Sequence, residues 1–188
     1  SALILAGGLG TRLRSVVADR PKVLAEVCGR PFLFNLFDML VDAGYGHVVL
    51  ATGYRAEAVE EAIAGGYRGL DLECSVEPEP RGTGGAIALA APRLRSPRAL
   101  VLNGDSFCAA DLRHFEAEHR QRGASASILV TAVDDVSRYG QVDVDAETGA
   151  VMAFREKQAG AAVRRSASSQ RRTSLINAGV YLLEERAL

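Results

Sequence analysis

The sequence predicts an α/β fold with three layers and a mixed, mostly parallel sheet. Short apolar runs alternate with helical segments through the first two thirds of the chain, a glycine-rich turn follows the first apolar run, and strand-like runs dominate after Gly123. Alternating strands and helices are typical of a parallel sheet that is covered by helices on both faces. Ligands of such folds bind at the carboxyl ends of the strands. We therefore expect functional residues directly after the apolar runs.

The first part of the chain supplies four strands and four helices. Each predicted strand is a short apolar run bounded by turn residues: Ala2–Ala6, His47–Thr52, Leu70–Val76 and Arg98–Asn103. The predicted helices carry apolar residues at helical spacing, or small residues that pack close to a sheet: Pro31–Ala43, Ala56–Ala64, Gly84–Ala91 and Asp111–Arg122. Pro31 suits a first helical turn, Gly44 a helix end and Asp111 an N-cap.

Strands dominate the second part of the chain. Four further runs are predicted as strands: Ala126–Val133, Gly140–Val144, Val151–Phe154 and Leu175–Leu183, with a turn at Asp145–Gly149. Between the last two, residues 160–174 are rich in alanine, serine and arginine and lack hydrophobic periodicity, which predicts a mobile surface loop. We expect the extra strands to form one wall of a site.

The composition predicts one soluble domain that spans residues 1–188. The chain is 48% hydrophobic and 24% charged, and its 22 basic and 23 acidic residues leave no net positive field for nucleic acid or a membrane surface. No apolar run approaches the roughly 20 residues of a membrane span, so we expect a cytoplasmic protein. Cys28, Cys74 and Cys108 lack C-x-x-C spacing and are expected to be buried, reduced thiols. The composition is compatible with a monomer or a homo-oligomer.

The glycine-rich turn LAGGLGTRLR, from Leu5 to Arg14, is the first candidate binding site. Three glycines and two arginines directly after a strand let backbone N–H groups converge on an anion. A dinucleotide fingerprint would need glycine where Leu13 stands, and an acidic residue at the end of the second strand, which instead reads ATG. The P-loop pattern G-x-x-x-x-G-K-[ST] is absent from the sequence. A phosphate site of another kind, or a tight turn with incidental arginines, remains.

The pattern GGLGTRL, followed by RPKVLAEV, resembles that of bacterial sugar-1-phosphate nucleotidyltransferases. Further blocks follow in that family's order: VEPEPRGTGGAI at 76–87, LVLNGDSF at 100–107, RYGQV at 138–142, FREK at 154–157 and LINAGVY at 175–181. Within that family the chain is most similar to the D-glycero-α-D-manno-heptose 1-phosphate guanylyltransferase group. The resemblance implies a Rossmann-like nucleotidyltransferase fold. It also implies transfer of a nucleotidyl group from a nucleoside triphosphate, with GTP favoured, to a heptose or hexose 1-phosphate, yielding pyrophosphate and an activated sugar for glycan synthesis.

The resemblance also assigns roles to individual residues on the nucleotide side. Both reactants are anions, so neutralisation of phosphate charge must dominate catalysis. Arg12 is expected on the leaving pyrophosphate, Lys22 on the phosphates at the reacting centre, and Asp105 on a Mg²⁺ ion. The nucleotide is expected to contact Leu5, Ala6, Gly7, Gly8, Gly10, Thr11, Arg12, Lys22, Glu77, Gly82, Thr83 and Gly84. Of these, the residues from 82 onward are expected to form a small-residue turn that lets the base and ribose approach the backbone.

On the acceptor side, the resemblance points to residues in both halves of the chain. The sugar phosphate is expected to contact Asn103, Gly104, Tyr139, Gly140, Glu156, Lys157 and Asn177. Lys157 would hold the phosphate and Glu156 the sugar hydroxyls. Because adjacent strand residues face opposite ways, this pair must lie at a strand end or a bulge.

Two departures from the family pattern leave an alternative open. Family members usually continue beyond the INAGVY block and provide a second aspartate for the metal, whereas the sequence here ends at Leu188. Either it is a fragment of a longer protein or the second ligand is replaced, and Asp105 would then hold the ion alone. Residues 161–174 resemble an insertion, and its arginines would either clamp a phosphorylated ligand or stay solvated: Arg164, Arg165, Arg171 and Arg172, with the nearby Arg155. A nucleotide- or sugar-phosphate-binding module of the same fold, without turnover, is the alternative to an enzyme.

Overall fold

A computed structural model describes residues 1–8, 20–133, 140–155 and 174–188 of the chain. Its α-helices are α1 Phe32–Ala43, α2 Ala56–Ile63, α3 Gly82–Ala90 and α4 Leu112–Arg122. Its strands are β1 Ala2–Leu5, β2 Glu26–Val27, β3 Arg30–Pro31, β4 His47–Thr52, β5 Asp71–Val76, β6 Arg98–Asn103, β7 Ala126–Val133, β8 Gln141–Val144, β9 Val151–Arg155 and β10 Ser174–Glu184. Short 3-10 segments lie at Lys22–Leu24, Ala91–Arg93 and Glu185–Ala187.

The chain divides into two compact units, and the first comprises residues 1–127 and 179–188. Its strands follow the order β5-β4-β1-β6-β10. The first four are parallel to their neighbours, with Ala2 of β1 between Val48 of β4 and Leu100 of β6, while residues 180–184 of β10 pair antiparallel with β6. The predicted α/β fold with a mixed, mostly parallel sheet is therefore confirmed.

The second unit comprises residues 128–178. In it β8 pairs antiparallel with β9, with an irregularity at Asp143 and Val144, and Ile176 of β10 lies opposite Gln141 of β8. The strands predicted in this half of the chain are confirmed. Residues 160–173 of the predicted loop lie outside the described residues, while Ser174 begins β10. The single-domain organisation stays a prediction.

Both faces of β1 are buried. Leu3 packs with Val49, Val101 and the small residues Ala86 and Ala90 of α3, and its alternate neighbours on the opposite face of the strand are also fully buried. Burial on both faces explains why the central strands are continuous apolar runs instead of alternating ones. The sheet is thus fixed at its centre, and the loops at its carboxyl edge rest on a rigid support.

Helix α3 begins earlier than the sequence predicts. The sequence predicts a small-residue turn from Gly82 and a helix from Gly84, but Gly82–Gly85 forms the first helical turn. Glycines disfavour helix formation, yet the packing of Ala86 and Ala90 on the sheet outweighs that local preference. A Cβ added at Gly85 would lie 2.3 Å from Cβ of Arg81, so the close backbone there requires glycine.

The expectation of three buried cysteines is wrong. Cys28 is exposed, and Cys74 and Cys108 are half-buried. Cys28 and Gly29 both have positive φ, 54° and 78°, and form the two-residue turn between β2 and β3. Such a turn matches the twist of a hairpin and projects its side chains into solvent. Burial raises the pKa of the Cys74 thiol to about 11.

None of the helices in the described ranges has the length and apolar character needed to span a membrane.

Candidate active site at the carboxyl edge of the sheet

Two glycines meet at the carboxyl ends of the first two parallel strands. Gly7 follows β1, and Gly53 follows the neighbouring β4. The N–H of Ala6 donates to the carbonyl of Ala51 at 2.7 Å, which extends the pairing beyond the last residue of β1. A Cβ added at Gly53 would lie 3.4 Å from the carbonyl oxygen of Gly7. No side chain of either glycine covers this edge, so another group can approach the backbone.

The carboxylate of Glu77, which follows β5, lies beside Gly7. The N–H of Glu77 donates to the carbonyl of Thr52 at 2.8 Å, and a Cβ added at Gly7 would lie 3.1 Å from Oε2 of Glu77. The other oxygen, Oε1, is buried and accepts no hydrogen bond from any residue that the structure describes. A buried carboxylate oxygen without a donor is costly. A donor from a bound molecule would satisfy it.

Lys22 and Asp105 form an ion pair at the end of β6. Nζ of Lys22 donates to Oδ2 of Asp105 at 2.6 Å, and Oγ of Ser106 donates to Oδ1 at 3.1 Å. Burial would raise the pKa of Asp105, but the hydrogen bond and positive charge of Lys22, together with Ser106, hold that pKa below its ordinary value. The carboxylate is therefore ionised at neutral pH.

The packing of Val23 on Gly104 brings the two charged residues together. The N–H of Gly104 donates to the carbonyl of Leu5 at 2.9 Å, which ties the end of β6 to the end of β1. A Cβ added at Gly104 would lie 2.6 Å from that carbonyl oxygen and 3.2 Å from Cγ1 of Val23. Val23 is 2% exposed. Because glycine lets this buried side chain approach, the 3-10 segment that carries Lys22 lies beside the turn that carries Asp105.

The side chain of Asn103, the last residue of β6, lies against Gly179 of β10. Gly179 has a φ of +77°, and a Cβ added there would lie 2.9 Å from Nδ2 and 3.1 Å from Cβ of Asn103. Any larger residue at 179 would displace the amide. The glycine of the INAGVY block thus fixes the position of a polar side chain two residues before Asp105.

The whole chain, residues 1–188, matches the nucleotidyl transferase family. It is 38% identical to a D-glycero-α-D-manno-heptose 1-phosphate guanylyltransferase of Aneurinibacillus thermoaerophilus over 83% of this chain and 67% of that protein. The chain belongs to the nucleotidyl transferase family. It is also 36% identical to mannose-1-phosphate guanylyltransferase of Mycobacterium tuberculosis. That match covers 100% of this chain and 49% of the mycobacterial protein.

A solved structure supports the same family. HddC from Yersinia pseudotuberculosis complexed with GMP-PN has a TM-score of 0.81 and 33% identity to this chain, covering 98% of this chain and 76% of that one. The chain thus spans about half of the mannose relative and about two thirds to three quarters of the heptose relative and HddC. The sequence-based recognition of a nucleotidyltransferase is confirmed.

The structure brings part of the predicted site of this nucleotidyl transferase together in the first unit. Eight predicted residues lie at the carboxyl edge of its parallel strands: Leu5, Ala6, Gly7, Lys22, Glu77, Asn103, Gly104 and Asp105. Gly82, Thr83 and Gly84 lie in the first turn of α3, and Gly8 is exposed beyond β1. Gly140 and Asn177 belong to the second unit. Six predicted residues lie outside the described ranges: Gly10, Thr11, Arg12, Tyr139, Glu156 and Lys157.

Sequence reasoning missed Gly53, Val23 and Ser106. A signal existed for Gly53, because it follows an apolar strand just as Gly7 does. Val23 looks like an ordinary apolar residue, and Ser106 like a turn residue. Their contacts to Gly104 and Asp105 join segments more than 80 residues apart or depend on one side-chain rotamer, so no local pattern reveals them.

A second cluster of potential metal ligands lies at the opposite edge of the sheet. His47, Asp71 and Glu73 stand at or near the amino ends of β4 and β5, with ligand atoms within 4.8 Å of one another, and they are the sole such group of three among the described residues. The guanidinium of Arg95 donates to both carboxylates. Arg95 already pairs with both carboxylates and His47 contacts Glu73, so we assign the cluster to the packing of the sheet edge.

Proposed function

We propose that this chain transfers a guanylyl group from GTP to a heptose or hexose 1-phosphate. The products are pyrophosphate and a GDP-sugar for cell-surface polysaccharide or glycan synthesis, and the enzyme acts in the cytoplasm. The names of two relatives, guanylyltransferases for heptose and mannose 1-phosphates, support the substrate classes. The observation that carries the proposal is the Lys22–Asp105 pair, which places a phosphate-binding cation and a metal-binding carboxylate at one end of β6.

Glu77 supports guanine as the base. Guanine presents two adjacent donors, N1–H and the N2 amino group, on its pairing edge, and a carboxylate presents two adjacent acceptors. Oε1 of Glu77 is buried without a donor among the described residues, and Oε2 lies beside Gly7. Adenine offers an acceptor where guanine offers N1–H, so its N1 lone pair would face a carboxylate oxygen and no hydrogen bond could form. We therefore assign base selection to Glu77.

The reaction joins two anions, and this chain's residues offset their repulsion. An oxygen of the sugar phosphate attacks the α-phosphorus, and the bond from that phosphorus to the β-phosphate oxygen breaks, so pyrophosphate leaves with the electron pair. Lys22 places its ammonium at the reacting phosphates. The N–H groups of the glycine turn after β1 hold the nucleotide, and Arg12 neutralises the leaving pyrophosphate.

The chemistry of Asp105 fits a divalent cation such as Mg²⁺. Both carboxylate oxygens already face a positive or hydrogen-bond-donating group, Lys22 and Ser106, and the side chain is 43% exposed. Magnesium is held in proteins by one or two carboxylates together with substrate phosphates and water, so a single aspartate is sufficient as an anchor. When bound, the ion supplies further neutralisation of phosphate charge.

The acceptor contacts complete the proposal. Asn103, fixed by Gly179, presents its amide next to the catalytic turn. We also assign Gly140 and Asn177 to the sugar, Glu156 to its hydroxyls and Lys157 to the acceptor phosphate. These four assignments rest on the family resemblance.

Pyrophosphate release tests the proposed function. The chain is incubated with Mg²⁺, each of the four nucleoside triphosphates, and heptose, mannose or glucose 1-phosphate, and both pyrophosphate and the nucleotide-sugar are quantified. We expect turnover with GTP and a heptose or mannose 1-phosphate, and loss of turnover in Asp105→Asn. Nucleotide binding without pyrophosphate release from any pair would instead identify a binding module of this fold.

A further inference from the structure

The ammonium of Lys22 occupies one of the two oxygens with which Asp105 would hold a cation. Nζ lies 2.6 Å from Oδ2, which is close hydrogen-bonding distance for a charged pair. A magnesium ion on the same oxygen would stand about 2.0–2.1 Å from it. Two positive groups at those distances from one oxygen repel each other strongly. Lys22 and a divalent cation therefore compete for Oδ2.

The backbone of Lys22 is anchored, while its side chain reaches solvent. Val23 and Leu24, the next two residues of the 3-10 segment, are 2% and 8% exposed, whereas the Lys22 side chain is 33% exposed. A lysine carries its charge on a flexible four-carbon stem. The ammonium can thus leave Asp105 by side-chain rotation alone, without moving the buried segment that positions it.

We propose that Lys22 exchanges between Asp105 and the nucleotide phosphates, so that Asp105 binds a divalent cation more tightly once Lys22 leaves it. This inference rests on the proposed function, since it takes both the cation and the phosphates from it. Nucleotide and cation then bind with positive coupling, because phosphate that draws Lys22 away frees the carboxylate. Lys22 thus weakens cation binding at Asp105 before the nucleotide arrives.

A matched variant distinguishes two ways in which Lys22 could lower cation affinity: as a nearby positive charge, or through direct contact with Asp105. Arg20 lies two residues before Lys22, and its guanidinium pairs with Glu26 at 3.4 Å. Removing Arg20 deletes the same formal charge from the same segment and leaves the Lys22–Asp105 contact in place. If Lys22 acts merely as a local positive charge, both deletions have similar effects on cation affinity.

Titration of the full chain with Mn²⁺ alone, followed by electron paramagnetic resonance of free Mn²⁺, tests the exchange without any turnover. Lys22→Met should bind Mn²⁺ about threefold to fivefold more tightly than the wild type, the upper range expected for release of one partly exposed ion pair. Arg20→Met should stay within about twofold of the wild type. Lys22→Arg, which keeps the charge, should not gain affinity and serves if Lys22→Met fails to fold.

Asp105→Asn separates failure of this inference from failure of the proposed function. If Asp105→Asn and the double variant with Lys22→Met both lose the Mn²⁺ site, Asp105 is the ligand. An unchanged Mn²⁺ affinity in Lys22→Met, or an equal gain in Arg20→Met, then overturns the exchange alone. If Asp105→Asn binds Mn²⁺ as tightly as the wild type, the exchange and the proposed metal site are both wrong. Added GMP should increase Mn²⁺ affinity in the wild type more than in Lys22→Met.

Discussion

Nζ of Lys22 lies 2.6 Å from Oδ2 of Asp105, although 83 residues separate the two in the chain. One belongs to a 3-10 segment after the glycine-rich turn, and the other to the turn after β6. The carbonyl of Leu5 and the side chain of Val23 both pack on Gly104, which holds the two segments side by side. The pair therefore depends on backbone packing as well as on charge.

Asp105→Asn should remove most Mg²⁺-dependent turnover and leave the fold intact. The amide keeps the shape of the side chain, but it loses the negative charge that holds the cation and pairs with Lys22. We expect kcat to fall about 10²–10³-fold, the usual scale for one lost electrostatic contribution to the transition state. Pyrophosphate release across a Mg²⁺ series measures this, and circular dichroism checks the fold. Unchanged turnover with normal metal dependence would refute the role of Asp105.

Glu77→Gln should weaken the preference for GTP. The substitution replaces one acceptor oxygen by a donor, which faces the N–H groups of guanine and leaves buried groups mismatched. We expect kcat/KM for GTP to fall about 10²-fold, with little change for the other triphosphates. Glu79→Gln, an exposed carboxylate two residues later, is the control and should retain the wild-type preference. Equal losses for all four nucleotides in Glu77→Gln would contradict base selection.

Gly179→Ala should impair use of the sugar 1-phosphate through Asn103. The added methyl would lie 2.9 Å from Nδ2 of Asn103 and force the amide to move. Gly66→Ala is matched, because Gly66 also has positive φ, +68°, and has nothing within 4 Å of an added Cβ. Both variants should lose about 1–2 kcal/mol of unfolding free energy from the backbone alone. Only Gly179→Ala should lose about 10- to 100-fold in kcat/KM for the sugar 1-phosphate.

Asp38→Asn should reduce stability at neutral pH and flatten its decline in acid. Tyr67 donates to Asp38 at 2.7 Å and Arg68 at 2.8 Å, with Arg30 on the other oxygen, and these contacts lower the pKa of Asp38 to about 2. Because the folded pKa lies below the ordinary value of 3.8, ionised Asp38 stabilises the fold above about pH 4, and this stabilisation is lost as the pH falls towards 2.

Urea unfolding from pH 7 to pH 2.5 measures that difference. The wild type should exceed Asp38→Asn by about 1–2 kcal/mol at pH 7, and the gap should close on acidification. Asp42→Asn is the control, since Asp42 is 69% exposed and pairs with Arg68 at 3.4 Å. It should change stability by less than about 0.5 kcal/mol. A gap that stays constant down to pH 2.5 would show that Asp38 does not titrate as described.

Lys157→Ala should raise the KM for sugar 1-phosphate and lower kcat, while nucleotide affinity without sugar stays close to wild type. A lysine ammonium is a point charge whose attraction falls with distance and is screened by salt, so it serves chiefly the phosphate that it touches. Lys22→Ala should instead weaken nucleotide binding. Direct titration of GTP onto both variants compares their nucleotide affinities. Equal losses of nucleotide affinity would show that the assignment of Lys157 to the sugar phosphate is wrong.

The central strands are predictable from the sequence because they are buried on both faces. His47–Thr52 and Arg98–Asn103 have the same bounds in sequence and structure, since each is an apolar run that ends at a turn residue. The start of α3 is not predictable, because four residues with low helix propensity are held in the helix by sheet packing further along. The local sequence determines the bounds of these strands, whereas tertiary contacts determine where α3 begins.

In the candidate site, too, some features follow from the local sequence and others from tertiary contacts. Asp105 is predictable as a residue at the carboxyl end of a buried strand. Its partner, Lys22, was assigned to phosphates by resemblance, and the contact between the two depends on Val23 meeting Gly104. The unpaired oxygen of Glu77 is likewise invisible in the sequence, because it results from the positions of three neighbouring strand ends.

The strand order of the first unit also determines how long a ligand of this site must be. Glu77 follows β5 and Asp105 follows β6, and β4 and β1 lie between those strands. Adjacent strands are about 4.8 Å apart, so the two carboxylates stand on strands separated by roughly 14 Å. A free phosphate or a monosaccharide can reach one of them but not both. If Glu77 selects the base and Asp105 holds the cation, as we propose, a ligand that contacts both must be elongated, with its base at the edge strand β5 and its phosphates towards β6.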